Sequence, residues 1–224
     1  MNTVLLLIGL LILAEVLGLW LKKRKRRREL LKRQRIRGEE GELETARLLE
    51  GMRGHFELLH HVYLPIGEGR TTELDLLMIH EKGLIVIENK NYSGFIYGRG
   101  SETYWMQVRE RGEKRSFYSP VRQNEGHIRH LRAFLGQEAV PIWSVITFNE
   151  RGQLRRVRVS RKTALVCSAV RVRRKLFWYL FWKRRVLNRR QVEELASFLR
   201  REAGQTKRIQ KRHEKQMERA ARRL

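Results

Sequence analysis

The chain has 224 residues with 49 Lys+Arg against 24 Asp+Glu, a formal net charge of +25 and a single cysteine. That length suits one globular domain with extensions, and the lone Cys167 excludes an intrachain disulfide or a cysteine-rich zinc site and fits a reducing compartment. Residues 22–37 carry eleven basic side chains and one acidic, and residues 200–224 carry ten and three; such flanks would attract anionic lipid or nucleic acid, and charge alone does not choose between them.

Residues 3–21 hold thirteen Leu, Ile or Val and one charge, Glu15. As a helix the stretch would span about 28 Å, close to a hydrocarbon core of about 30 Å. Thirteen such residues contribute about −4 to −8 kcal/mol on the insertion scale, against about +3 kcal/mol for a central acid. The balance predicts one transmembrane helix, with Glu15 tolerated or partner-facing rather than a functional intramembrane acid. A signal peptide would want a basic start and a small-x-small cleavage site, and the stretch offers neither. Seven consecutive basic residues, 22–28, follow at once. By the positive-inside rule they predict a single-pass protein of the cell membrane with its C-terminal domain in the cytoplasm.

Residues 29–53 are rich in Leu, Arg and Glu without proline and predict a helix, with Leu43, Ala46 and Leu49 as its buried stripe. Glu42 lies close to that stripe, so two placements are open: pointing into the domain, or exposed in an acidic first turn. A first strand covers residues 56–64 and ends at Pro65. Residues 74–79 and 84–87 form two more, joined as a hairpin by His80-Glu81-Lys82-Gly83. A two-residue loop at Glu81-Lys82 would set Asp75 directly opposite Glu88; a three-residue loop with Gly83 as a bulge would shift the pairing by one. Gly94 and Gly98 flank a short strand, and residues 103–109 and 115–118 make a second hairpin. Pro120 opens a helix to about Leu135, with Val121, Ile128, Leu131 and Leu135 inward and Gln123 near its start.

Residues 141–148 and 163–167 are apolar runs of the buried-strand type. Asn188 caps a last helix through Leu199, with Val192, Leu195, Ala196 and Leu199 on its apolar face. Residues 204–224 read as a basic tail or exposed helix. Helices alternating with strands at this spacing predict an α/β fold, a mixed central sheet flanked by helices. Residues 176–182 are seven apolar residues set between Arg173-Arg174-Lys175 and Lys183-Arg184-Arg185. They are too few to span a bilayer, and three uses are open: a membrane interface, base stacking or a connector packed on the core. The seven histidines give no tetrahedral ligand set with the single cysteine and are read as structural. No internal repeat, P-loop or dinucleotide fingerprint is present.

The chemistry concentrates in Asp75, Glu88 and Lys90. Side chains alternate along a strand, so Glu88 and Lys90 share a face and Asn89 takes the other. Two carboxylates can hold Mg²⁺ or Mn²⁺, hard ions that prefer oxygen. A lysine beside them can orient or deprotonate a water and offset charge developing on a phosphate. Taken alone, the triplet fits solvent-facing strand charges equally well.

More of the chain joins the pattern: Gly41-Glu42 in a helix, Glu73-Leu74-Asp75, Gly83 through Glu88-Asn89-Lys90-Asn91, Gly94-Phe95-Ile96-Tyr97-Gly98, Trp105, and Ser119-Pro120-Val121-Arg122-Gln123. In order and spacing these segments resemble the nuclease-related (NERD) domain, itself similar to the PD-(D/E)xK nucleases. The resemblance implies a PD-(D/E)xK nuclease-like fold, with Asp75 and Glu88 as metal ligands and Lys90 as the catalytic lysine. It also makes Glu42 the helix-borne acid and Gln123 an accessory polar residue of the site. One departure is Asn89, where many relatives carry Thr; it faces away and should leave the chemistry intact. The implied activity is Mg²⁺- or Mn²⁺-dependent, sequence-nonspecific hydrolysis of DNA or RNA phosphodiester bonds on the cytoplasmic side of the membrane. The alternative is a non-catalytic membrane-tethered module that binds nucleic acid or anionic lipid. The chain would then divide into an anchor (1–21), a basic juxtamembrane segment (22–37), the nuclease-related domain (38–150), the rest of the same globular unit (151–203) and a basic tail (204–224).

Overall fold

A computed structural model describes residues 2–67, 70–136, 140–202, 211–215, 217 and 219, without the side chains of residues 2–14, 16, 33–35 and 110. The chain divides into two compact units, Met1–Glu40 and Gly41–Leu224. The first is helix throughout its described residues. Here α1 (Asn2–Glu50) runs unbroken through the apolar stretch and the basic run after it, because Leu, Lys, Arg and Glu all favour helix and no proline intervenes. The helix expected to start at Glu29 is thus the second half of one 49-residue element. Among the described residues no helix is long and apolar enough to cross a membrane. The transmembrane helix expected over residues 3–21 therefore has no structural support; most of its side chains lie outside the described ones, and the remainder runs directly into charge.

The second unit continues with β1 (Phe56–Pro65), β2 (Thr71–His80), β3 (Gly83–Lys90), β4 (Gly94–Arg99), β5 (Tyr104–Val108), β6 (Lys114–Tyr118), α2 (Pro120–Leu135), β7 (Ile142–Phe148), β8 (Gly152–Arg158), β9 (Leu165–Ser168), α3 (Val172–Phe181) and α4 (Arg189–Glu202). The central sheet has the order β1-β2-β3-β7-β9. It is mixed: β1, β2 and β3 are antiparallel, while β3, β7 and β9 are parallel. The α/β class and the mixed sheet flanked by helices are as expected. One face of the sheet packs Leu77, Ile79, Leu84 and Val86 under Leu131 of α2 and Val192, Ala196 and Leu199 of α4. The other packs Leu76, Met78, Ile85 and Ile87 under Ala46 and Leu49 of α1 and Val172, Leu176 and Leu180 of α3. Burial on both faces explains why β3 is continuously apolar from Leu84 to Ile87 rather than alternating.

A second sheet, β6-β5-β4-β8, stands beside the first. Its core joins Ile96 and Trp105 to Ile146 and Phe148, with Trp105 stacked on Phe148 at 6.2 Å. Trp105 also donates its indole N–H to Arg99 O at 2.9 Å. A Cβ at Gly98 would collide with the Trp105 ring, so that glycine is required by close approach. In the helix stripe Ala46 and Leu49 are buried as expected, but Leu43 is 49% exposed, and Gly41 and Thr45 are buried in its place. Leu43 stands two residues, about 200° of helical rotation, from both Gly41 and Thr45. The expected cap of α4 is present in reciprocal form, with Gln191 N–H donating to Asn188 Oδ1 (2.9 Å) and Asn188 N–H to Gln191 Oε1 (2.8 Å). Most of the basic tail expected over 204–224 lies outside the described residues.

Candidate active site

Two features of the hairpin set the site. The β2–β3 pairing runs from His80 opposite Gly83 to Leu76 opposite Ile87. That is the two-residue loop at Glu81-Lys82, and continuing the register by one step sets Asp75 opposite Glu88. The ladder itself ends at Leu76 opposite Ile87, and beyond it Asp75 Oδ2 accepts the Asn89 N–H at 2.8 Å. Across β1, the position facing Asp75 is His61, which drops out of the pairing between His60 and Val62 with φ of 49°.

Alternation along β3 sends Glu88 and Lys90 toward α2. Lys90 Nζ donates to Glu88 Oε1 at 2.5 Å and to Gln123 Oε1 at 2.9 Å. Gln123 sits in the first turn of α2, and the next residue fixes that helix in place. Asn124 donates its amide to Val86 O (3.0 Å) and Ser144 Oγ (2.9 Å), tying α2 to β3 and β7. One turn after Gln123, His127 places Nε2 3.2 Å from Glu88 Oε2 and Nδ1 3.0 Å from Thr72 Oγ1. Asn89 faces the opposite side, where it accepts from Thr147 Oγ1 at 3.1 Å. There the start of the globular unit presses close: a Cβ on Gly41 would lie 3.3 Å from Asn89 Nδ2. Next to it Glu42, its side chain 15% exposed, approaches His61 Nδ1 at 3.5 Å. Of its two open placements, the inward one is found.

The charges are coupled. Burial first, and then the negative charges of Glu88 and Glu42, push the Asp75 carboxyl well above the usual range. Burial would also raise Glu88, but Lys90 and His127 outweigh it and hold that carboxyl low. Burial alone would make Lys90 a weaker base; Glu88 and Asp75 reverse this and hold its proton more tightly than usual. The five residues singled out in the sequence thus fall in one region, with Lys90, Glu88 and Gln123 in direct contact and Asp75 and Glu42 joined to them by charge.

The histidines were read as structural, and two of them border this region. His127 lies four residues after Gln123, hence on the same helix face, which was the legible signal. His61 Nδ1 lies 2.8 Å from Glu73 Oε1, the same oxygen that accepts the Tyr63 hydroxyl at 2.9 Å. His213 approaches the other Glu73 oxygen at 3.4 Å, so this part of the expected tail is seated on β2.

Among the described residues no group of three or more His, Cys, Asp or Glu is placed to hold a metal ion. The pair Asp75 and Glu88 still fits Mg²⁺ or Mn²⁺ in kind, since such ions accept one or two carboxylates and complete their shell with water and phosphate. After burial, repulsion from Glu88 and Glu42 raises the Asp75 carboxyl, and that repulsion is of the kind a divalent ion relieves.

The profile of the nuclease-related domain (NERD) matches residues 37–149, half the chain. The chain belongs to the nuclease-related domain family. An uncharacterized protein of Bacillus anthracis is 35% identical to it over 127 residues, which are 56% of this chain and 59% of that protein. The match thus spans under two thirds of the relative's length. No solved structure matches. The NERD region contains Glu42, Asp75, Glu88, Lys90 and Gln123, and ends before α3 and α4.

Proposed function

We propose that this NERD protein is a divalent-metal-dependent nuclease that hydrolyses phosphodiester bonds of DNA or RNA without sequence preference. The observation that supports it most is the hydrogen-bonded set Glu88, Lys90 and Gln123, with Asp75 bound to the Asn89 N–H beside it, inside a nuclease-related domain. Asp75 and Glu88 would hold Mg²⁺ or Mn²⁺, which supplies Lewis acidity toward a phosphoryl oxygen and a readily ionised water. Lys90, keeping its proton beside two carboxylates, acts through its charge and opposes the negative charge that builds on the phosphate. Gln123 fixes the direction of the Lys90 ammonium, and His127 restrains the second oxygen of Glu88. Glu42 adds negative potential beside Asp75.

The basic flanks raise the local concentration of nucleic acid. A single-pass anchor over residues 3–21, followed by the basic run 22–28, would hold the domain at the cytoplasmic face of the membrane; its support is the sequence alone.

A second reading, a non-catalytic module for nucleic acid or anionic lipid, is favoured by the lack of a ready three-ligand metal cluster among the described residues. Incubating the purified protein with single- and double-stranded DNA and RNA, in Mn²⁺, Mg²⁺ or EDTA, separates the two. Cleavage that EDTA abolishes supports the nuclease, and tight binding without cleavage in either metal supports the module.

A further inference from the structure

Helix α3 has a buried side and an aromatic outer side. Val172, Leu176 and Leu180 recur at four-residue spacing and are buried against the sheet. Trp178, Phe181 and Trp182 are left facing solvent, 58%, 44% and 84% exposed. Large rings clustered on a surface mark an interaction site more often than single exposed residues do. These rings lean on one another, Trp178 to Phe181 at 5.4 Å and Phe181 to Trp182 at 4.9 Å and nearly perpendicular. Arg174 and Lys175 precede them and Arg184 follows, all exposed. The surrounding sequence is one-sided in charge: residues 151–192 carry fifteen Lys or Arg and no Asp or Glu, whereas residues 38–150 carry thirteen against seventeen.

We propose that this outer face of α3 docks on the surface of an anionic phospholipid membrane. Amphipathic rings seat at headgroup depth, basic side chains beside them meet lipid phosphates, and the positive charge selects anionic lipid. Nucleic acid would meet the same charge, but two observations place it elsewhere. The helix packs on the sheet face that carries Ile85 and Ile87, while Glu88 and Lys90 turn toward α2 on the other face. Its C-terminal end sits at the β2–β3 turn, because Lys82 Nζ donates to Leu180 O (2.9 Å) and Phe181 O (3.1 Å). Seven residues of β3, about 23 Å of strand, separate that turn from Lys90. Docking through α3 therefore points the Lys90 end of β3 away from the bilayer. The proposal depends neither on residues 3–21 nor on the nuclease reading.

The test uses the full-length protein with an environment-sensitive NBD fluorophore at Trp182→Cys; Cys167 is buried and leaves the new thiol as the labelling site. Vesicles of phosphatidylcholine alone are compared with vesicles containing about 30% phosphatidylglycerol. Emission should shift to the blue, with protection from iodide, only in the anionic vesicles. Arg174→Glu with Arg184→Glu should raise the lipid concentration required by about thirtyfold or more. Trp178→Ser with Phe181→Ser, carrying the same label, should lose the shift while retaining the far-UV spectrum of the parent. A probe equally open to iodide in buffer and in both vesicles overturns the proposal. So does an equal shift in both vesicle types, or a shift produced by a single-stranded oligonucleotide without vesicles.

Discussion

In the proposed reaction Lys90 is the residue on which the chemistry turns, and its surroundings define its role. It touches Glu88 and Gln123 and feels Asp75, which hold its positive charge in place, and in the proposed reaction that charge would meet the phosphate. Lys90→Ala should lower cleavage by about 10²-fold or more and leave Mn²⁺ binding, read by electron paramagnetic resonance, largely unchanged. Asp75→Ala or Glu88→Ala should remove binding and cleavage together; retained Mn²⁺ binding in both would take the metal away from this pair. Burial pushes the Cys167 thiol up to about 11. A thiol reagent at pH 8 should therefore modify it only after denaturation, and rapid labelling of the native protein would contradict its place in the core. The sequence showed Glu88 and Lys90 on one face because strand alternation needs only local information. It could not show His127 against Glu88, because that contact depends on how α2 lies on β3.

At the scale of elements, local signals were legible wherever a terminus carries its own chemistry. Pro120 opens α2 and Gly136, at φ of 60°, closes it, so both bounds could be read. Asn188 likewise announced α4. The hairpin register was open between two loops and is resolved by packing, since a slip of one would turn Leu77, Ile79, Leu84 and Val86 out of their shared core. Strand β8 was missed: Gly152–Arg158 contains three arginines, and its apolar residues are only partly covered. The second sheet was missed for a related reason, as β4 pairs with β8 across a long sequence separation that no local pattern encodes. Gly98 provides the test of that sheet. Gly98→Ala should destabilise the protein by about 1–3 kcal/mol through the clash with Trp105, read as a lowered denaturation midpoint. An unchanged midpoint would mean that Trp105 yields freely and the core of this sheet is not set by it.

For the whole molecule, charge and the site divide the work. Most of the basic excess lies outside the segment that carries the acids of the site, so attraction of a polyanion and chemistry upon it should separate. Deleting residues 204–224 should weaken nucleic-acid binding and flatten its salt dependence, while any cleavage survives at high protein concentration. Binding that is insensitive to salt would remove the electrostatic role. The proposed anchor has its own check: the full-length protein should remain with membranes through carbonate extraction, and release by carbonate would remove it. The central claim is the reaction itself. The most direct measurement is a time course of single- and double-stranded DNA and RNA with full-length protein in Mn²⁺, Mg²⁺ and EDTA, run beside Lys90→Ala. Metal-dependent cleavage by the wild type, suppressed by EDTA and lowered by the substitution, is the predicted result; tight binding with no cleavage, indistinguishable from Lys90→Ala in either metal, would contradict it.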